Sequence, residues 1–199
     1  FLKSQINPHF LFNTLNNLYG LALSGSKKTP EIVLKISSLL DFMLYRSAQA
    51  SVSLREEIKY IQDYIDLEKL RYQELNLKFR IHAYKEGHRI APMLLQPFIE
   101  NAFKHGISKK HHDPWIEAGL DVHDDILYYH VYNSKPLVSQ DDTTGYTEEI
   151  GPKNVKKRLE ILYPGQHTLD IQYRQDSFKS NLKLELIKKA DENEMPARR

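Results

Sequence analysis

With 199 residues, of which 41% are hydrophobic and 27% charged, the chain can bury one moderate core, or a small helical element beside a compact domain. Its formal net charge is only +2, because 28 basic and 26 acidic residues are mixed along the sequence, so nucleic acid is not expected as a partner. The chain contains no cysteine, which excludes disulfides and thiolate metal sites and leaves packing as the source of stability.

Two helices are predicted at the start of the chain. Over residues 2–24 and again over residues 29–43, apolar side chains recur at steps of three and four, which is typical of one apolar stripe on a helix. Neither stripe can be covered by a single neighbouring helix, so we expect the hairpin to pair with a second copy as a four-helix bundle in a homodimer. The stripe positions are Leu11, Leu15, Leu18 and Ala22 in the first helix and Ile32, Ile36, Leu39 and Met43 in the second.

Residues 53–56 (SLRE) fit a capping box and predict the start of a third helix, which continues towards Arg71. The loop before it is the expected domain boundary. The sequence therefore predicts a dimerising helical hairpin over residues 1–52, a second domain over 53–190 and a flexible tail over 191–199.

The second domain alternates between strand and helix patterns, which predicts an α+β fold. Residues 133–150 are polar and have no hydrophobic period, which is typical of a long loop that serves a ligand. In chain order the predicted elements are a strand over 77–81, a helix over 93–104, strands over 115–122 and 126–132 joined by a turn at 123–125, a helix over 154–163, and strands over 168–173 and 182–186.

His9 and Asn13 are four residues apart, which places the imidazole and the amide on one face of the first helix. A neutral imidazole nitrogen is a good nucleophile near neutral pH, and an amide one turn away can orient a phosphoryl group or hold a water. From the spacing alone, a histidine on a solvated helix face remains the simpler interpretation.

A second polar pattern lies on the predicted helix over residues 93–104. Glu100 and Lys104 are one turn apart, and so are Asn101 and His105. Polar groups at this density on an apolar helix favour a ligand that pairs them, although an ordinary amphipathic helix has the same spacing.

These two patterns lie in longer motifs that resemble those of one family. Residues 5–16 (QINPHFLFNTLN) resemble the H-box of the LytS-like sensor histidine kinases, and residues 95–106 (LQPFIENAFKHG) are similar to their N-box. The similarity continues through residues 154–159 (NVKKRL) and covers nearly the whole chain. It implies a GHKL ATPase domain, that is, an α/β sandwich of the Bergerat type, attached to the hairpin.

The resemblance also implies the chemistry of a bacterial two-component phosphorelay. His9 would attack the γ-phosphate of ATP once a domain movement brings the two together, with Glu100 as a candidate general base. Asn101 would ligate the Mg²⁺ that bridges the phosphates, and Lys104 and His105 would contact the nucleotide.

Two further boxes of the family read the adenine and approach the phosphates. In residues 132–136 (YNSKP), Tyr132 stands where the family has an acid that accepts from the adenine amino group. Residues 149–154 (EIGPKN) keep only one glycine of the glycine-rich box and contain Glu149 and Pro152. The nucleotide-contacting residues expected from these boxes are Tyr132, Asn133, Gly151 and Asn154. Lys156 and Arg158 belong to a basic cluster that either forms a solvated helix face or, by the resemblance, contacts the nucleotide phosphates.

Three hypotheses follow: an active autokinase, a kinase-like scaffold with weak or absent ATP binding, and a plain helical dimerisation protein. The first implies a response regulator that takes the phosphoryl group from His9 onto an aspartate. It also implies the cytoplasmic portion of an inner-membrane protein. No apolar run approaches the roughly 20 residues that cross a bilayer, so we expect contact with the membrane only through a segment upstream of Phe1.

Overall fold

A computed structural model of the chain describes residues 8–72, 75–82, 84, 86–107, 113–135 and 150–188. Within these ranges no helix is long and apolar enough to cross a membrane. The helices are α1 (Pro8–Leu23), α2 (Thr29–Leu44), α3 (Leu54–Lys69), α4 (Gln96–Gly106) and α5 (Ile150–Leu162). The strands are β1 (Val52–Ser53), β2 (Asn76–Ile81), β3 (His88–Ile90), β4 (Trp115–His123), β5 (Ile126–Ser134), β6 (His167–Tyr173), β7 (Ser177–Glu185) and β8 (Ile187–Lys188).

The centre of the fold is a five-stranded mixed sheet of order β2-β4-β5-β7-β6, in which only β2 and β4 are parallel. Side chains alternate across the sheet, and the apolar face packs against α4, where Phe98 meets Tyr129 edge-on at a ring distance of 5.7 Å. Strands β1, β3 and β8 form a small antiparallel sheet of their own. The predicted α+β class is confirmed, whereas the four-helix bundle stays a prediction.

The hairpin between β4 and β5 turns at Asp124 and Asp125, as predicted. Both residues have positive φ, +48° and +65°, which is the conformation of the two-residue turn that matches the twist of paired strands. Strand β7 begins at Ser177, five residues before the predicted strand over 182–186. Its first half was missed because it is polar: Ser180 is buried there and donates to the carbonyl of Val131.

Helix α2 packs on α3 within the same chain, with Phe42 stacked on Tyr60 at 4.6 Å. This contact buries the stripe that was expected to face a second copy. In α1 the buried residues are Phe10 and Thr14. Of the expected stripe, Leu11 and Leu18 are partly buried against the core, whereas Leu15 and Ala22 are exposed. Thr14 can be buried because its hydroxyl donates to the carbonyl of Phe10 at 2.8 Å.

The segment before α4 is held from one side by Glu57 of α3. This carboxylate is fully buried and accepts hydrogen bonds from the backbone N–H groups of Met93 (2.7 Å) and Leu95 (3.0 Å). Met93 has a φ of +56°, so the backbone is not helical there. This explains why α4 begins at Gln96 and not at residue 93, as the apolar pattern predicted.

Helix α5 holds the same segment from the other side. The guanidinium of Arg158 donates to the carbonyl oxygens of Met93 (2.8 Å) and Pro92 (2.5 Å), and the hydroxyl of Tyr163 accepts from the N–H of Ala91 (2.8 Å). Burial raises the pKa of Glu57 to about 7, against the opposing effects of the two backbone N–H groups and of Arg158. We call Glu57, Arg158 and Tyr163 the clamp, since they fix the point at which α4 starts.

The clamp predicts a pH-dependent stability. The folded-state pKa of Glu57 lies above the usual value, so its contribution to the free energy of unfolding is complete below about pH 4.5 and is lost as the pH rises through about 7. Measured by urea denaturation, the stability of the wild type relative to Glu57→Gln should fall by about 3 kcal/mol over this interval. The control is Glu160→Gln, which removes an exposed carboxylate of α5 and leaves the clamp intact. A difference in stability between the wild type and Glu57→Gln that does not change with pH would contradict the prediction.

Candidate functional site

His9 lies in the first turn of α1, next to Pro8, and is exposed. The amide nitrogen of Asn13 lies 3.1 Å from its Nδ1 and 3.2 Å from its Nε2. The predicted contact across one helical turn is therefore present. A neutral imidazole has one unprotonated nitrogen, to which the amide N–H of Asn13 can donate, so Asn13 limits the rotation of the ring.

His9 opens onto a cleft of about 390 Å³ between α1, α3 and α4, which we call the acceptor cleft. Two of the predicted N-box residues, Glu100 and Lys104, line it from α4. The structure thus brings the predicted nucleophile and the predicted base to one cavity, although they are far apart in sequence. The full lining is His9, Phe10, Tyr64, Glu68, Arg71, Tyr72, Glu100, Phe103, Lys104 and Ile107.

Aromatic rings form the floor of the acceptor cleft. The rings of Phe10 and Tyr64 are tilted by 30° with centroids 4.8 Å apart, Tyr64 meets Phe103 edge-on at 5.9 Å, and Phe103 lies 6.2 Å from Tyr72. Aromatic pairs of this kind contribute roughly 0.5–1.5 kcal/mol each beyond the area that they bury. Because Phe10 follows His9 directly, this chain of rings fixes the position of His9 relative to α4.

A polar wall of the acceptor cleft comes from α3. Glu68 is 3% exposed, accepts from the Tyr64 hydroxyl at 3.2 Å and is paired with Arg71 at 2.8 Å. Burial raises the pKa of Glu68, Arg71 opposes this effect, and Glu100 adds to it. None of these three residues was singled out from the sequence, although their steps of four and three on one helix face were visible there.

Helix α4 presents its polar residues to two different sides. With about 100° per residue, Lys104 lies roughly 40° from Glu100 and 60° from Asn101 around the helix axis. Asn101 lines a narrow space with Val155 of α5 and Ser180 of β7. Lys104 therefore stands between the side that faces α5 and the side that faces His9, and His105 continues the Asn101 side one turn later.

Asn133 lies beneath the end of α4. It is fully buried and donates through Nδ2 to the carbonyl of Ser134, but no donor among the described residues reaches its Oδ1. The helix end comes so close that a Cβ on Gly106 would lie 2.9 Å from the Cβ of Asn133. Gly106 is thus required by packing, and Asn133 keeps one buried acceptor atom unpaired, which costs roughly 1–3 kcal/mol.

The structure corrects the expected position of Tyr132. Side chains alternate along β5, so Tyr132 lies on the outer face of the sheet and Asn133 on the inner face with α4. The Tyr132 hydroxyl donates to Asn181 at 2.6 Å, and Lys179 lies over its ring at 5.1 Å. Asn133, and not Tyr132, occupies the position beside the N-box helix.

The glycine-rich box lies at the start of α5. This helix begins at Ile150, four residues before the predicted start, so Gly151 is in its first turn and Asn154 is exposed just beyond. Arg158 was expected on a solvated helix face or in contact with phosphate. Its guanidinium instead donates to the backbone carbonyls of Met93 and Pro92, as part of the clamp. Glu149 and most of the predicted loop over 133–150 lie outside the described residues.

Known proteins that are similar to this chain include histidine kinases, as the motifs around His9 and on α4 predicted. A family model described as histidine kinase matches residues 1–76. Sensor protein LytS of Staphylococcus epidermidis is 27% identical over 184 residues, covering 87% of this chain and 31% of that protein. Sensor protein kinase HptS of Staphylococcus aureus is 36% identical over 107 residues, covering 53% of this chain and 20% of that protein. The chain spans a third or less of the length of these curated relatives.

Among solved structures, the histidine kinase domain of a blue-light activated histidine kinase from Erythrobacter litoralis EL346 is similar. It superposes with a TM-score of 0.53 and 12% sequence identity, covering 81% of this chain and 88% of that chain. At this identity the likeness shows the fold alone.

Proposed function

We propose that the chain is a member of the LytS-like sensor histidine kinases and forms the catalytic part of a two-component sensor. In this proposal it phosphorylates itself on His9 with ATP and then passes the phosphoryl group to an aspartate of a response regulator. The observation that carries the proposal is the acceptor cleft, where His9 lies opposite Glu100 and Lys104.

The chemistry of the step suits these side chains. The unprotonated ring nitrogen of His9 attacks the γ-phosphorus, the N–P bond forms, and ADP leaves with the electron pair of the broken P–O bond. The proton on the other ring nitrogen passes to the carboxylate of Glu100. The ammonium of Lys104 neutralises charge on the transferred group. The N–H of Asn13 holds the ring before the reaction and must release the lone pair of the attacking nitrogen when that nitrogen turns to the phosphorus.

In this proposal the nucleotide binds beside α4 and the start of α5. The unpaired Oδ1 of Asn133 can accept from the adenine amino group, so binding would satisfy a buried acceptor. Asn101 would ligate Mg²⁺, which neutralises phosphate charge when bound, and His105 would contact the nucleotide one turn further on. Gly151 and Asn154 lie at the N-terminal turn of α5, where backbone N–H groups favour phosphates.

Lys104 connects the two sides of the reaction. It lies between Asn101, which faces α5, and Glu100, which faces His9. A γ-phosphate held at Lys104 is therefore directed towards the acceptor cleft of the same chain. We infer that phosphoryl transfer takes place within one chain.

We further propose that residues 1–52 form the dimerisation and phosphotransfer domain, that residues 53–190 bind ATP, and that residues 191–199 are a tail. Helix α1 keeps an exposed apolar stripe at steps of three and four, which a second copy would cover as a four-helix bundle. Its members are Phe12 (68% exposed), Leu15 (44%), Tyr19 (66%) and Leu23 (71%). Any membrane contact would come from outside this chain, which would then be the cytoplasmic part of the protein.

Replacement of His9 tests the proposed acceptor. With Mg-ATP the wild-type chain should acquire an acid-labile phosphoryl label, and His9→Gln should lose it completely, since no nucleophilic nitrogen remains at that position. The matched control is His123→Gln, which removes an exposed histidine at the end of β4. A label of wild-type intensity on His9→Gln would contradict the assignment. No binding of Mg-ATP at millimolar concentration in calorimetry would favour the kinase-like scaffold.

Charges on the exposed stripe of α1 test the homodimer. The double variant Leu15→Glu, Leu23→Glu should shift the chain from dimer to monomer in sedimentation equilibrium, because paired helices would bury carboxylates without partners. Ile161→Glu on α5 serves as the control, since Ile161 is 61% exposed and lies outside the hairpin. A dimer that persists with unchanged affinity in the double variant would refute this interface.

A further inference from the structure

On the basis of the autophosphorylation proposed above, we propose that Arg71 contacts the phosphoryl group as it passes to His9, and that Glu68 and Tyr64 hold Arg71 in place. Arg71 follows the end of α3 and lines the acceptor cleft together with His9 and Lys104. The site of transfer would then have two cations, Lys104 from α4 and Arg71 from the opposite wall.

The side chain of Arg71 is fixed rather than free to swing. Its Nη1 donates to Glu68 at 2.8 Å, and its guanidinium carbon lies 5.1 Å from the centre of the Tyr72 ring. Glu68 is in turn held by the Tyr64 hydroxyl at 3.2 Å. A guanidinium has five N–H donors, and Glu68 is its only ion-pair partner among the described residues. Its remaining donors can therefore meet an anion in the cleft.

The charges of the acceptor cleft leave room for such an anion. The carboxylates of Glu68 and Glu100 balance the cations of Arg71 and Lys104 when the cleft is empty of ligand. A γ-phosphate adds negative charge that is spread over three oxygens during transfer, and catalysis of this step depends on neutralising that charge. A planar guanidinium can bind two of these oxygens at once, which an ammonium cannot.

The pairing with Glu68 also explains how Arg71 stays in position. Glu68 is 3% exposed and an unpaired buried carboxylate is costly, so the pair opposes any movement of the guanidinium away from the cleft. The ring of Tyr64, whose hydroxyl bonds to Glu68, also contacts the ring of Phe10 at 4.8 Å. The same residue therefore aligns the acceptor helix and, through Glu68, the arginine.

The test is the rate of self-labelling of the full chain with Mg-ATP. Arg71→Gln should lower this rate by about 100-fold or more, as loss of a transition-state contact does, while the Kd for Mg-ATP changes less than about threefold. Arg71→Lys, which restores the charge without the planar fork, should recover part of the rate. Lys69→Gln removes one positive charge from the exposed side of the same helix and should label at the wild-type rate.

A double variant separates this role from simple neutralisation of Glu68. If Arg71 only balances the buried carboxylate, Glu68→Gln with Arg71→Gln should label at the wild-type rate, and that result would overturn the proposal. A rate that stays about 100-fold low in the double variant supports it, and this comparison holds even if Arg71→Gln alone fails to fold. Absence of label on the wild type would instead refute the proposed function, so the two failures are distinguishable.

Discussion

The contact between the rings of Phe10 and Tyr64 connects α1 to the rest of the chain. Helix α1 buries few of its residues, and one of them, Phe10, is adjacent in sequence to His9. Tyr64 continues into Phe103 of α4, so three rings from three helices set the separation between His9 and the N-box. Each aromatic pair contributes roughly 0.5–1.5 kcal/mol beyond the area that it buries. This contribution is small compared with the usual free energy of unfolding of a domain. Such a contact suits the proposed function, in which α1 serves first a nucleotide and then a response regulator.

The orientation of α4 depends on a second set of contacts, on the opposite side of the core. Glu57 and Arg158 bind the backbone on either side of Met93, and Tyr163 binds it two residues earlier. Backbone groups that precede a helix have no intrahelical partner, so their capture by side chains from α3 and α5 fixes the helix start. The helix of the glycine-rich box and the helix of the N-box are thereby linked through one short segment.

Much of this organisation could be predicted from the sequence. The helices, the turn at Asp124 and Asp125, the α+β class and the family all follow from periodicity, turn chemistry and two long motifs. The pairing of His9 with Asn13 follows from helical spacing alone. These features are local, or they depend on residue types that have few other uses.

The features that could not be predicted depend on tertiary packing. The burial of Thr14 could not be predicted, because it depends on the bond from its hydroxyl to the carbonyl of Phe10. The face on which Tyr132 lies could not be predicted either, because a shift of one residue in a strand reverses the face. The start of α4 was set by Glu57, 36 residues away in sequence. Arg71 gave no sequence signal of its own, since its significance comes from the cleft that three helices form around it.

In the proposed reaction, His9 receives its phosphoryl group inside the acceptor cleft of its own chain. Co-expression of two differently tagged chains, one with His9→Gln and the other with Asn101→Ala, tests it directly. In the mixed dimer the first chain retains the nucleotide site and the second retains the acceptor. Transfer within one chain predicts that neither chain is labelled. A label on the Asn101→Ala chain that appears only in the mixed dimer would contradict the account and show that transfer crosses between chains.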